Sequence, residues 1–217
     1  MQIAIDGPAG AGKSTLAKKI AATYKMTYLD TGAMYRCIAH CVLNQIGDSF
    51  DNEADIIRIA RGTVIRFAGD QVFCNDQNVT REIRTPLVSR HTSDVARIKE
   101  VRDLMVAQQR EYAKDHAVVM DGRDIGSVVL PDAKLKFFLD ADVIERAQRR
   151  KKELDEKGHS KALEEIKNDI ENRDTNDRNR TEGPLLQVAD AIVIDTTGKS
   201  IEQVYEEMKI HIDEARR

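Results

Sequence analysis

The sequence has few cysteines, no amino-terminal pattern that predicts a signal peptide, and no long apolar run. Cys37, Cys41 and Cys74 are too few and too scattered for a disulfide framework, which predicts a reducing compartment. Cys37 and Cys41 are spaced as neighbours on one helix face, which favours core packing over a metal site with His40. The amino terminus lacks the basic and apolar regions of a signal peptide, and no apolar run approaches the roughly 20 residues that cross a bilayer. We therefore expect a cytoplasmic protein that contacts no membrane.

The sequence also lacks an excess of positive charge and is poor in aromatic residues. Its formal net charge is −3 and aromatic residues make up 5% of it, so neither a basic field nor a set of stacking rings favours binding to nucleic acid. A nucleotide is the better candidate ligand. The length of 217 residues predicts one α/β domain with appendages. The last helical segment has no sustained heptad seam, which predicts a monomer.

A phosphate-binding loop lies near the amino terminus, between an apolar strand and a helix that begins near Lys13. Its glycines allow successive backbone N–H groups to converge on phosphate oxygens. Lys13 is placed to reach the β and γ phosphates, and the hydroxyl of Ser14 can ligate Mg²⁺. The loop therefore predicts a nucleotide triphosphate as ligand. Its residues are Gly7, Pro8, Ala9, Gly10, Ala11, Gly12, Lys13 and Ser14.

Short apolar runs alternate with helical stretches along the chain, which predicts a doubly wound parallel sheet. The expected strands are residues 2–6, 27–29, 117–120, 135–139 and 191–194. Ligands of such a sheet bind beyond the carboxyl ends of its strands. Asp121 closes the third run, where it is either a second nucleotide-site carboxylate that orders Mg²⁺ or an ordinary turn aspartate.

Two stretches depart from this alternation. Residues 61–79 show the period of two and the turn residues of a small antiparallel β insert. Residues 142–182 are highly charged and helical, with a break at residues 158–160. This second stretch is either a solvated helical hairpin or, in a phosphate-loop protein, a mobile lid over the triphosphate.

A second set of charged residues suits another phosphate group. Residues 30–36 open a helix after the second strand, and residues 121–124 read Asp-Gly-Arg-Asp after the third. Arg173, Asp177 and Arg180 recur at i, i+4 and i+7, so we expect them on one helix face. Taken singly, each is explained by surface ion pairing. Together, arginine forks and carboxylates suit a nucleoside monophosphate.

The segments IDGPAGAGKST, LDTGAMYR, DGRD and RDTNDRNR, in this order and spacing, resemble the bacterial cytidylate kinase family over essentially the whole chain. The resemblance implies a fold of the P-loop NTPase type, with a five-stranded parallel sheet flanked by helices. It implies an ATP-binding core of residues 1–30 and 111–217 and a monophosphate-binding lobe of residues 31–110, which carries the insert at about 61–79. A short helical lid is expected at about 149–161.

The same resemblance implies transfer of the γ-phosphate of ATP, with Mg²⁺, to CMP or dCMP. It places Thr31, Arg102 and Asp124 at the cytosine, where a carboxylate can accept from the exocyclic amine. It places Ser93, Arg173 and Asp177 near the sugar and Arg36, Arg123 and Arg180 at the acceptor phosphate. Tyr35 joins this substrate-binding set, and Thr15, Arg146, Arg149 and Arg150 join the ATP-binding set. The catalytic residues are expected to be Lys13, Arg36, Arg123 and Arg180.

Two alternatives remain at this point. The chain is also compatible with a kinase of the same architecture that acts on UMP or AMP, although the insert and the DGRD segment argue against it. It is also compatible with a nucleotide-dependent switch that has no acceptor substrate. The sequence contains no Asn-Lys-x-Asp motif for guanine, and a switch has no use for a second set of phosphate-binding arginines.

Overall fold

The computed structural model describes residues 1–156 and 158–217, which form two compact units. The first unit comprises Met1–Tyr28 and Asp115–Arg217, and the second comprises Leu29–Lys114. Among the described helices, none combines the length and the apolar character needed to span a membrane.

Strands and helices alternate in the first unit, and helices dominate the second. The strands are β1 (Gln2–Asp6), β2 (Thr27–Asp30), β3 (Ile65–Ala68), β4 (Gln71–Cys74), β5 (Gln77–Asn78), β6 (Val118–Gly122), β7 (Leu135–Asp140) and β8 (Ile192–Asp195). The helices are α1 (Lys13–Tyr24), α2 (Thr31–Ile46), α3 (Glu53–Arg61), α4 (Pro86–Ala96), α5 (Lys99–Lys114), α6 (Val143–Glu156), α7 (Leu163–Asn179) and α8 (Ile201–Ala215). A 3₁₀ turn covers Glu82–Arg84, and a π-helical turn covers Ile125–Val129.

A five-stranded sheet in the order β2-β6-β1-β7-β8 confirms the predicted fold class. The central strand β1 pairs in parallel with both neighbours, and Ile3 lies opposite Val119 on one side and Leu135 on the other. These strands are apolar on both faces because helices cover them. Each of the five predicted apolar runs forms one of these strands, with ends displaced by two residues at most.

Helices α1 and α8 bury their apolar stripes against this sheet. Ile5, Leu16, Ile20 and Met208 are fully buried in the shared core. Helix α8 begins with a capping box, in which the Ser200 hydroxyl accepts from the backbone of Gln203 and the Gln203 side chain accepts from the backbone of Ser200. The apolar residues of α8, among them Val204, Met208 and Ile212, therefore serve core packing.

The β insert lies in the second unit and is shorter than predicted. Strands β3, β4 and β5 form an antiparallel sheet, but Arg61 still belongs to helix α3. The third strand follows a tight turn at Asn75 and Asp76, both with positive φ, and was not predicted. The two-residue loop between β4 and β5 adopts this backbone because asparagine and aspartate tolerate it best after glycine.

The cysteines of the second unit are buried in its core. The Sγ atoms of Cys41 and Cys74 lie 3.0 Å apart, and this contact, together with burial, raises the pKa of the Cys41 thiol. The described part of the chain contains no group of three potential ligands that could hold a metal ion. His40 instead contacts Asn44 at 3.0 Å. The core interpretation of Cys37 and Cys41 is confirmed.

The charged segment folds as a helical hairpin with a small apolar cluster of its own. Ala147 and Leu154 of α6 pack with Ile166 and Ile170 of α7. The predicted lid, residues 149–161, spans the second half of α6 and the connection to α7, and Lys157 within it lies outside the described residues.

One detail of the helix-face prediction was wrong. Arg173 and Asp177 lie on α7, but the helix ends at Asn179 and Arg180 follows it in an extended conformation.

Candidate active site

The phosphate-binding loop makes a tight turn between β1 and α1. A Cβ on Gly7 would stand 2.0 Å from the carbonyl oxygen of Leu139, so this position accepts no side chain. Gly12 precedes α1 with φ of 89°, in the left-handed region that favours glycine. These two glycines produce the close turn that an anion-binding loop needs.

Lys13 is buried at this loop, where its Nζ donates to the carbonyl oxygen of Pro8 at 2.6 Å. Burial lowers the pKa of Lys13, Arg123 acts in the same direction, and Asp121 opposes them. The ammonium group has therefore lost most of its hydration and gains from the approach of an anion.

Ser14 and Asp121 place two oxygen donors side by side. The Ser14 hydroxyl donates to Oδ2 of Asp121 at 2.7 Å, and the Tyr28 hydroxyl donates to Oδ1 at 2.7 Å. Asp121 lies inside β6, so it is not a turn residue. A hydroxyl beside a carboxylate is the hard donor set that suits Mg²⁺ in phosphate-loop proteins, so these residues fit that ion.

Asp6 joins the end of β1 to the π-helical turn after β6. Its carboxylate accepts from the backbone N–H groups of Ile125 at 2.8 Å and Gly126 at 2.7 Å. Burial raises the pKa of Asp6 to about 6, although these two hydrogen bonds oppose the shift. Asp6 thereby anchors the segment that carries Arg123 and Asp124. The sequence patterns did not predict the turn, because π turns have no short sequence signature.

Three arginines and two aspartates of the first unit form a compact cluster. Arg123 Nε donates to Asp177 Oδ2 at 2.7 Å, and Arg173 Nε lies 4.0 Å from the same oxygen. Arg180 lies 3.8 Å from Asp177 and 3.5 Å from Asp124. Burial raises the pKa of Asp177, but the three guanidinium groups outweigh it and hold that pKa below its usual range. Asp177 is therefore ionised, and guanidinium groups outnumber carboxylates in the cluster by three to two.

Arg146 and Asp174 hold the phosphate-binding loop through hydrogen bonds to Ala9. Arg146 donates to the carbonyl oxygens of Ala9 at 3.0 Å and Ala141 at 2.9 Å and to Asp174 at 2.5 Å. The other oxygen of Asp174 accepts from Ala9 N at 3.3 Å. The backbone N–H and the carbonyl oxygen of Ala9 are thus both hydrogen-bonded to the Arg146–Asp174 ion pair. Asp174 lies beside Arg173 in the RDTNDRNR segment, but no pattern in that segment distinguishes it from the neighbouring acidic and amide residues.

The other two arginines of the expected ATP-binding set differ in their surroundings. Arg149 donates to the hydroxyl of Thr196 at 3.0 Å and to its carbonyl oxygen at 2.7 Å. Thr196 in turn donates to the carbonyl oxygen of Ala11 at 3.3 Å. Arg150 pairs with Glu153 on the surface of α6. Arg149 is therefore linked to the phosphate-binding loop through Thr196, whereas Arg150 forms an ion pair at the protein surface.

The expected substrate residues of the second unit gather around α2 and α5. Thr31 and Tyr35 are buried on α2, and Arg102 is buried on α5 with its guanidinium 5.8 Å from the centre of the Tyr35 ring. Arg36 is paired with Asp30 at 2.8 Å. Ser93 is half-buried on α4. The unit thus holds a buried guanidinium within cation–π distance of an aromatic ring, and the planar guanidinium suits a planar polar group.

A parallel sheet with a glycine-rich loop after its first strand, a loop lysine and a Ser–Asp pair defines a P-loop nucleotide-binding protein. A crystal structure of an uncharacterized protein from Eubacterium ventriosum ATCC 27560 shares this fold, with a TM-score of 0.56 and 14% identity over 98% of both chains.

The family follows from sequence comparisons. The family model for cytidylate kinase matches residues 3–214. The cytidylate kinase of Clostridioides difficile (strain 630) is 50% identical over 206 residues, which cover 95% of each chain. That of Streptococcus pneumoniae (strain 70585) is 47% identical over 215 residues, or 96% of each chain. The chain belongs to the cytidylate kinase family.

Proposed function

We propose that this protein transfers the γ-phosphate of ATP to CMP or dCMP, giving ADP and the corresponding diphosphate. The observation that carries the proposal is the arginine–aspartate cluster of Arg123, Asp177, Arg173, Arg180 and Asp124, in a family member with a complete phosphate-binding loop. A nucleotide switch or a simple ATPase needs the loop but has no use for a second site of this charge.

Binding of the phosphate donor, ATP, is assigned to the first unit, where the phosphate-binding loop and Lys13, Ser14 and Thr15 lie. Loop N–H groups and the Lys13 ammonium bind the triphosphate, whose negative charge compensates the buried ammonium for its lost hydration. Ser14 and Asp121 would hold Mg²⁺, directly or through its waters, and the ion would neutralise charge on the phosphates. Arg146 and Asp174 fix the loop at Ala9, which keeps these groups in position.

Acceptor binding is assigned to the residues that the family resemblance implies. Thr31, Arg102 and Asp124 would recognise cytosine, and Tyr35 would support Arg102. Arg173, Asp177 and Ser93 would bind the sugar, and Arg36, Arg123 and Arg180 would bind the phosphate. Asp177 keeps the pKa of Arg123 high in spite of burial, so this guanidinium stays charged.

The chemistry requires no general base. The acceptor phosphate has its second pKa near 6, so it is largely dianionic at neutral pH and already nucleophilic. Catalysis then consists of alignment and of neutralisation of the charge that develops in the transition state, by Lys13, Arg36, Arg123 and Arg180. We assign residues 149–161 as a lid whose closure excludes water as a competing acceptor. Arg146, Arg149 and Arg150 would complete the donor site. We further propose a cytoplasmic monomer that binds neither nucleic acid nor membrane.

A coupled ADP-release assay with ATP, Mg²⁺ and each of CMP, dCMP, UMP and AMP tests the proposal. We expect CMP and dCMP to stimulate ADP release far more than the other two. The Lys13→Ala variant should lose turnover yet still bind CMP, because the lysine serves the donor. Stimulation by none of the four would favour a switch, and a preference for UMP or AMP would favour a kinase of another specificity.

A further inference from the structure

One buried carboxylate of the second unit holds two arginines. Oδ1 of Asp30 accepts from the backbone N–H of Ala33 at 2.8 Å and so caps α2. Oδ2 accepts from Nη2 of Arg36 at 2.8 Å and from Nη2 of Arg84 at 3.1 Å. Arg84 is the last residue of the 3₁₀ turn and lies 54 positions from Asp30 in the chain. The two guanidinium groups therefore meet at a single oxygen atom.

The charge of this group depends on Arg84. Burial by itself raises the pKa of Asp30, but Arg36 and Arg84 outweigh it and lower that pKa, so the carboxylate is ionised. An isolated Arg36–Asp30 pair would have no net charge and would attract a phosphate weakly. With Arg84 the group carries one net positive charge, and the side chain of Arg84 is 38% exposed and accessible to a ligand.

The Arg36 guanidinium is incompletely bonded. Its Nε atom is buried and has no hydrogen-bond partner among the described residues. A Cβ on Gly32 would stand 3.0 Å from Nη1 of Arg36 and 3.3 Å from Oδ1 of Asp30, so the glycine makes room for the guanidinium beside the first turn of α2. A buried N–H without a partner costs free energy, and at a charged site this observation points to an anionic ligand.

We infer that Arg84 is a further acceptor-phosphate residue, held beside Arg36 by the shared carboxylate of Asp30. This inference rests on the proposed function, since it names a residue of the same acceptor site that the family resemblance did not include. Asp30 orients both arginines, and Arg84 supplies the positive charge that Asp30 would otherwise cancel. The group then binds the phosphate of CMP with two planar forks.

Calorimetric titration with CMP and with cytidine separates the phosphate from the rest of the ligand. We expect Arg84→Gln to weaken CMP binding about tenfold or more, because a charge-assisted hydrogen bond is lost, and to leave cytidine binding within about twofold. Arg84→Lys keeps the charge but not the fork, so its loss should be intermediate. Arg81→Gln is the matched control, because Arg81 is an exposed arginine three residues earlier and its loss changes the net charge equally.

Two results would overturn the inference. Equal weakening of CMP and cytidine by Arg84→Gln would mean that the residue acts through the fold. An equal loss of CMP affinity in Arg81→Gln would mean that only the general charge of the surface matters. If Arg84→Gln fails to fold, Arg84→Lys decides, since CMP binding as tight as in the wild type contradicts a fork contact. Failure of the wild-type protein to bind CMP would instead refute the proposed function itself.

Discussion

Removal of one partner of the Arg146–Asp174 ion pair should strongly lower stability, because the pair is buried and its other member would keep an uncompensated charge. Side-chain exposure is 6% for Arg146 and 4% for Asp174. Arg146→Met keeps an unbranched apolar stem but leaves the Asp174 carboxylate in the interior with only its hydrogen bond from Ala9 N. It also removes the donor from the carbonyl oxygens of Ala9 and Ala141. We therefore expect a marked loss of stability.

The magnitude follows from the cost of leaving one buried charge without its partner, which is about 3–5 kcal/mol. We expect Arg146→Met to lower the free energy of unfolding by about 4 kcal/mol. With a urea slope of about 2.5 kcal/mol per molar, the unfolding midpoint would fall by about 1.6 M. Asp174→Asn added to Arg146→Met removes the uncompensated charge, so the double variant should be more stable than the sum of the single losses predicts, by about 2 kcal/mol.

Urea unfolding followed by circular dichroism measures these differences. Arg150→Met is the matched control, because Arg150 lies on the same helix and also pairs with an acid, but with side-chain exposures of 30% and 58% for Arg150 and Glu153. This exposed pair should contribute at most about 0.5 kcal/mol. Equal losses in Arg146→Met and Arg150→Met, or strictly additive losses in the double variant, would refute the reasoning.

Two further predictions concern the loop and the base pocket. Gly7→Ala should lower the free energy of unfolding by about 3 kcal/mol or more, because its Cβ would meet the Leu139 carbonyl oxygen at 2.0 Å. Gly12→Ala should lower it by only about 1–2 kcal/mol, because its Cβ would meet a side-chain atom at an ordinary 3.6 Å and the cost is mainly the strain of positive φ. Equal losses for the two variants in urea unfolding would contradict a clash between the Gly7 position and the Leu139 carbonyl oxygen. Asp124→Asn should lower the ratio of kcat/KM for CMP over UMP about tenfold or more, since an amide can donate to the uracil oxygen; an unchanged ratio in steady-state assays would remove Asp124 from the base pocket.

The phosphate-binding loop and the alternation of strands and helices could be predicted from the sequence because both depend on neighbouring residues. The turn at Gly7 and Gly12 excludes other side chains locally, and a run such as residues 2–6 is apolar because both faces of its strand are covered. The sequence patterns did not reveal the third insert strand, the π-helical turn or the end of α7 before Arg180. These features depend on turn geometry and on backbone hydrogen bonds to Asp6, which leave little trace in a short stretch of sequence.

The chemical groups could be identified from the amino-acid sequence alone: a loop with a lysine and a hydroxyl, and arginines in sufficient number for a second phosphate. Their partners are set by the way the chain folds. Ser14 meets Asp121 across 107 positions, Arg146 meets Asp174 across 28, and Arg84 meets Asp30 across 54. Such pairs form where distant segments pack, and burial there strengthens each charge interaction and shifts pKa values. Position in the sequence carries no record of that burial, so the partners of Asp174 and Arg84 are visible only in the folded chain.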